Sequence, residues 1–165
     1  MLNLIKEPRP VHPYFALFSL IPLMSRILLG IICLFLLASC GFTHFAYLDV
    51  PSGERVKAKM AITTSEKVLG LSGIYELTDY KGMIFVEKEP KQAQFWMFDM
   101  EFPLDILFLD KDKKILEDHL DLQPCVLEKE CEVIASALDN IKYVLEVPAG
   151  KAEEYGLTVN SVIDW

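Results

Sequence analysis

Glu54-Arg-Val-Lys-Ala-Lys-Met-Ala-Ile62 alternates apolar with basic side chains, so that Val56, Ala58, Met60 and Ile62 share one face and Arg55, Lys57 and Lys59 the other. A period of two is the side-chain spacing of a β-strand, and the pattern predicts a strand half-buried against a core. Strand signals continue downstream. Residues 82–87 and 94–102 are apolar runs of strand length, and residues 141–147 are strand-like. Residues 104–109 and 114–120 flank the polar turn Asp110-Lys-Asp-Lys113 and predict a hairpin. Helical signals are few. Thr63-Thr-Ser-Glu66 offers N-cap residues for one or two turns that Gly70 or Gly73 would end, and residues 148–155 permit a short helix stopped by Gly156. Residues 157–165 close the chain in extended form. The expected fold is mainly β, a small antiparallel barrel or sandwich with one or two short helices.

Upstream, Met24-Ser-Arg-Ile-Leu-Leu-Gly-Ile-Ile-Cys-Leu-Phe-Leu-Leu-Ala-Ser-Cys40 reads as a bacterial lipoprotein export signal. Arg26 supplies the positive head, residues 27–37 the apolar run, and Leu37-Ala-Ser-Cys40 a lipobox, cleaved before a cysteine that then carries diacylglycerol. A membrane-spanning helix would need about 18 or more consecutive apolar residues, and extending the run back to Tyr14 would bury Arg26. Residues 1–23, with Pro8, Pro10, Pro13 and Pro22, carry no folding pattern, and Met24 is the expected translation start. The expected organisation is therefore an extension over residues 1–23, a signal peptide over 24–39, a lipidated Cys40 with a short tether over 40–53, and one β domain over 54–165. Gly41 is not the aspartate that would favour retention in the inner membrane. The expected location is the cell envelope, facing the periplasm and lipid-anchored, in the outer membrane rather than the inner.

The chain of 165 residues has 16 Lys and Arg against 24 Asp and Glu. Residues 1–39 hold Lys6, Arg9, Arg26 and only Glu7, so the 126 residues from Cys40 onward carry 13 basic and 23 acidic side chains, a net charge of −10. That balance disfavours nucleic acid and anionic lipid surfaces as ligands. The bilayer is reached through the acyl chains on Cys40 instead. Cys33 would leave with the signal, so Cys125 and Cys131 remain. In an oxidising compartment they suggest one disulfide closing the charged loop Cys125-Val-Leu-Glu-Lys-Glu-Cys131. A redox or metal pair would need C-x-x-C spacing or a histidine cluster, and neither is nearby.

Several segments together resemble one family: Gly70-Leu71, Lys81-Gly-Met-Ile-Phe-Val86, Phe95-Trp-Met97, Pro103-Leu-Asp-Ile-Leu-Phe-Leu-Asp110 and Tyr143-Val-Leu-Glu-Val-Pro-Ala-Gly150, followed by Gly156. The ordered series is similar to the domain of unknown function 192 family over about residues 54–165. The resemblance implies a small exported β domain, with a cysteine pair between the Pro-Leu-Asp and Leu-Glu strands, and it implies no activity. Two elements depart from the family pattern. Gly-Leu-Met-x-Arg appears as Gly70-Leu-Ser-Gly-Ile74, without its arginine, and Trp-Met-Lys-Asn-Thr appears as Trp96-Met-Phe-Asp-Met100. If those polar residues form the family's site, the ligand of this chain has changed or been lost.

The candidate pocket residues are Trp96, Met97, Asp99, Asp105 and Glu146. Along residues 95–102 a period of two places Trp96, Phe98, Met100 and Phe102 on one apolar face, to be read as core or as the wall of a pocket with Asp99 at its rim. Asp105 alternates with Leu107 and Leu109, a carboxylate on an apolar face that needs partners. It either accepts backbone N–H groups or serves as an acid with a raised pKa, and Glu146 presents the same alternatives. There is no G-x-S-x-G elbow, Walker loop, dinucleotide fingerprint or H-E-x-x-H. His44 and His119 are too few for a metal site; His119, in Glu117-Asp-His-Leu-Asp121, reads as a solvated strand edge. No catalytic residue, metal or cofactor is assigned. The leading expectation is a binding module for an envelope component, either a partner protein or a saccharide or peptidoglycan fragment. The alternatives are an envelope hydrolase pairing Asp105 with Asp99 or Glu146, and a structural envelope protein with no pocket.

Overall fold

The structure, a computed structural model, describes residues 43–165. Residues 1–42 lie outside the described part, and with them the expected signal peptide, Cys33, the lipidation site Cys40 and the proposed start at Met24. Eight strands form in chain order: β1 (His44–Asp49), β2 (Arg55–Ala61), β3 (Gly82–Lys91), β4 (Gln94–Phe95), β5 (Leu104–Leu109), β6 (Ile115–Leu122), β7 (Ile134–Ala135) and β8 (Ile141–Pro148). Helix α1 (Thr64–Leu69) lies between β2 and β3, and α2 (Lys151–Glu154) follows β8. The fold is mainly β, as expected. Residues 44–49, within the stretch expected as a tether, form β1.

Six strands form one sheet in the order β1-β2-β3-β8-β5-β6, and β4 and β7 pair separately. All neighbours in the sheet are antiparallel except β2 and β3, which run parallel. A parallel pair cannot be joined by a tight turn. The crossover holds α1, started by a capping box in which Thr63 Oγ1 accepts from Glu66 N–H and Glu66 Oε2 accepts from Thr63 N–H.

The central strands are buried on both faces, which explains the nearly unbroken apolar run of β5. One core contains Leu48, Val56, Ala58, Ile84, Leu107, Leu145 and Val147, covered by Tyr155, Leu157 and Ile163 from the end of the chain. The other contains Met83, Phe85, Ile106, Phe108 and Val144, covered by Leu71, Leu77, Met97 and Ile134 from the connections. The ladder does not close into a barrel. Its two edges are tied by the final segment, where Asp49 N–H donates to Asp164 O at 2.8 Å and Ile115 N–H to Ser161 O at 2.8 Å.

Two expectations are confirmed locally. In the β5–β6 turn Asp110 Oδ1 accepts from the N–H groups of Asp112 and Lys114, and Cys125 is bonded to Cys131, closing a loop worth about 2 kcal/mol in the chain-entropy model. One strand is much shorter than expected. Residues 94–102 form a strand only at Gln94–Phe95, followed by an isolated bridge from Phe98 to Cys125, after which Asp99 takes a left-handed conformation with φ of 59°. The backbone there bonds to other loops: Cys125 N–H donates to Met97 O and Gly73 N–H to Asp99 O. Met97 is therefore in the core at 4% exposure and Trp96 outside at 48%, whereas Met100 and Phe102 pack against the core as expected.

Candidate functional site

The sheet register separates the two buried carboxylates. Asp105 is opposite Val147 and Ile106 is opposite Glu146, and cross-strand partners project from the same face. Asp105 therefore shares the face of Leu107 and Val147, whereas Glu146 projects from the opposite face with Ile106 and Val144. An acid pair of Asp105 with Glu146 is ruled out by the sheet between them.

Asp105 is occupied on its own face. Its Oδ1 accepts from Asp121 N–H and its Oδ2 from Ala152 N–H, both at 3.0 Å, so it ties the left-handed residue Asp121 in β6 to the first turn of α2. This is the backbone-accepting role among the two alternatives. Asp105→Asn would turn an amide N–H₂ towards one of those donors, and a loss of about 3 kcal/mol in urea unfolding is expected. A change below 0.5 kcal/mol would contradict the anchoring role.

Glu146 opens onto a cavity of about 450 Å³ between α1 with its following loop, β3 and β4. Gly70, Leu71, Phe85, Phe95, Trp96 and Met100 are among its lining residues. Phe95 meets Phe85 edge to face, with ring centroids 4.9 Å apart. Gly70 caps α1 with φ of 52° and faces the Phe85 ring. Among the described residues, Glu146 Oε2 is the one fully buried side-chain oxygen or nitrogen without a hydrogen-bond partner. Burial pushes the Glu146 carboxyl up to about 8. At neutral pH it is therefore mainly protonated, able to donate one hydrogen bond and accept others.

At the rim, Glu87 Oε2 accepts from Lys67 Nζ at 3.0 Å and Lys91 Nζ at 3.1 Å. Burial acts to raise the Glu87 pKa, but the two ammonium groups outweigh it and hold the carboxyl below its ordinary value. Of the expected pocket residues, Trp96 and Glu146 come together in this cavity. Met97 is a core residue, Asp99 is exposed outside the lining, and Asp105 is on the other face. Lys67, Glu87 and Lys91 were not legible as a group, because they come from a helix and from a strand whose register shifts after Val86. His119 packs edge-on against Phe108, with centroids 5.4 Å apart.

A second cavity, of about 370 Å³, is lined by residues including Tyr75, Phe102, Pro103, Pro148 and Tyr155. It holds no buried polar atom lacking a partner among the described residues.

Two solved structures share this architecture. A protein of unknown function from Novosphingobium aromaticivorans DSM 12444 matches with a TM-score of 0.63 and 26% identity, over 78% of this chain and 96% of that one. A candidate transcription regulator from Sinorhizobium meliloti 1021 matches with a TM-score of 0.64 and 26% identity, over 75% of this chain and 97% of that one. No curated protein matches the chain. The family model for domain of unknown function 192, an uncharacterised ACR, matches residues 48–165, including every residue named in lining the Glu146 cavity. The chain belongs to the domain of unknown function 192 family.

Proposed function

We propose that this chain is a lipid-anchored binding module of the cell envelope, which holds a small hydroxyl- or amide-bearing ligand of the saccharide class in the Glu146 cavity. The observation that carries the reading is Glu146, a buried acid on the lining of a cavity walled by aromatic rings, whose Oε2 has no hydrogen-bond partner. A buried polar atom left unpaired costs about 1–3 kcal/mol, a cost that a bound hydroxyl or amide would offset. Trp96, half exposed at the cavity, gives a sugar ring an apolar face to lie on. Hydrolysis by paired carboxylates is less well supported. Asp105 is engaged elsewhere, and Glu87, the other carboxylate of the lining, is neutralised by two lysines.

The test is thermal unfolding of the full chain in detergent against neutral and acidic amino-sugar oligosaccharides. A ligand at 100 times its Kd raises stability by about 2.7 kcal/mol. Glu146→Leu and Trp96→Ala should abolish that gain. Because the protonated carboxyl is the donor, affinity should fall as pH rises through about 8, and Glu146→Gln, neutral at every pH, should bind without that decline. Ligand stabilisation unchanged in Glu146→Leu would refute the site.

Anchoring rests on the lipobox ending at Cys40, and the outer membrane is the proposed location because Gly41 follows it. Expressed in a bacterium, the chain should partition into the detergent phase and incorporate labelled palmitate, and Cys40→Ser should do neither. Labelling that survives the substitution would sink the anchoring proposal.

A further inference from the structure

We infer that the ligand of the Glu146 cavity carries an anionic group, a carboxylate on the saccharide body, which docks at the rim formed by Lys67, Glu87 and Lys91. The inference rests on the saccharide reading and specifies the ligand further.

Two ammonium groups, one from α1 and one from the end of β3, converge on a single oxygen, Glu87 Oε2, at 3.0 and 3.1 Å. One carboxylate cancels one of the two charges, so this rim keeps one net positive charge. Each ammonium has three N–H donors, and the shared oxygen engages one from each. With Glu146 protonated, no other charged residue lines the cavity. In a chain with 24 acidic and 16 basic side chains this is a local reversal of sign. Lys67 is held at 22% side-chain exposure and Glu87 at 13%, so this pair is partly desolvated and screened less than charges in open solvent, while Lys91, at 58%, reaches into it from the surface.

The second, independent observation is the unpartnered Glu146 Oε2 at the other end. Met83 is the register partner of Glu146, and Glu87 follows it by four residues on β3. The Cα atoms at the two polar ends are therefore about 13 Å apart along the strand. A sugar unit that hydrogen-bonds Glu146 and extends a carboxylate towards the lysines uses both ends. A neutral sugar uses one.

The deciding experiment is calorimetric titration of the full chain in detergent with two β-1,4-linked disaccharides. N,N′-diacetylchitobiose is neutral, and N-acetylglucosaminyl-N-acetylmuramic acid differs from it by a lactyl ether carboxylate. The acidic disaccharide is expected to bind at least tenfold more tightly. The difference should shrink when salt is raised from 0.05 to 0.5 M and disappear in the double variant Lys67→Gln with Lys91→Gln, which should still bind the neutral sugar. Equal affinities, or a preference for the neutral disaccharide, would overturn the anionic inference and leave the saccharide reading standing. Binding of neither sugar would overturn both. If the double variant unfolds, salt dependence in the unaltered chain decides: a preference indifferent to salt overturns the rim's role.

Discussion

Gly82→Ala should destabilise the protein by about 3 kcal/mol, at the upper end of what overpacking one methyl group costs. Gly82 begins β3 and is buried where that strand crosses β8. A Cβ there would stand 2.6 Å from the carbonyl oxygen of Glu146 and 2.9 Å from Val147 Cγ1. Val147 could turn its side chain, but the carbonyl belongs to the backbone of a central strand held on both sides. It can yield only if β8 moves relative to β3. Urea unfolding measures the loss, and a midpoint within 0.2 M of the unaltered protein would mean that the strands separate more easily than this packing allows. Because the clash falls on Glu146 itself, Gly82→Ala should also weaken ligand binding at pH 7 where folding is retained. Gly73→Ala is a suitable comparison, since its φ of 67° is also unfavourable for alanine but no atom lies within 4 Å of the added Cβ. It should affect stability less and leave binding unchanged.

What the sequence made legible follows from how local each signal was. The alternation at Val56 and Ala58, the cap at Thr63 and the turn at Asp110 depend on neighbours a few residues away, and each appears in the structure, although the alternation ends there, with Ala61 buried and Ile62 exposed. Residues 94–102 were misread because their partners are distant. β4 pairs with β7, forty residues on, and Asp99 turns the chain with a positive φ that its composition does not announce. Met97 then takes the core place and Trp96 the surface, because the chain beyond Phe95 is a loop that no longer follows a period of two. Asp105 and Glu146 were both legible as carboxylates in apolar runs. Their fates diverged through register, which no single strand carries: opposite Val147, Asp105 meets two backbone donors, 16 and 47 residues away, whereas Glu146 meets none. The resemblance located the motifs that line the cavity but did not indicate the lysines at its rim.

Glu146→Gln should make the protein more stable at neutral pH, an outcome opposite to that of most substitutions at buried sites. The ordinary Glu pKa of 4.5 rises to about 8 in the folded chain, so between those values the folded state binds more protons than the unfolded one. Stability then falls as pH rises through this window, by about 1.4 kcal/mol per unit, or about 5 kcal/mol in all. It is greatest below 4.5 as far as this group is concerned and levels off above 8. By pH 7 the loss is about 3 kcal/mol, which a side chain that never ionises does not suffer. Glutamine also has nearly the same shape and can still meet a ligand's hydroxyl. The other charged groups of the cavity do not imitate this dependence. Lys67 and Lys91 hold Glu87 below its ordinary range, so its contribution is complete above that range and lost only in acid. Unfolding free energies measured from pH 5 to 9 should therefore decline in the unaltered protein and stay nearly level between pH 5 and 8 in Glu146→Gln. Parallel profiles would show that Glu146 is ionised and solvated in the folded chain. A profile that saturating sugar raises as a whole and whose decline it carries past pH 8 would show more: ligand binding holds the proton on Glu146, and the stability sacrificed to an unpaired acid is recovered when the cavity is filled.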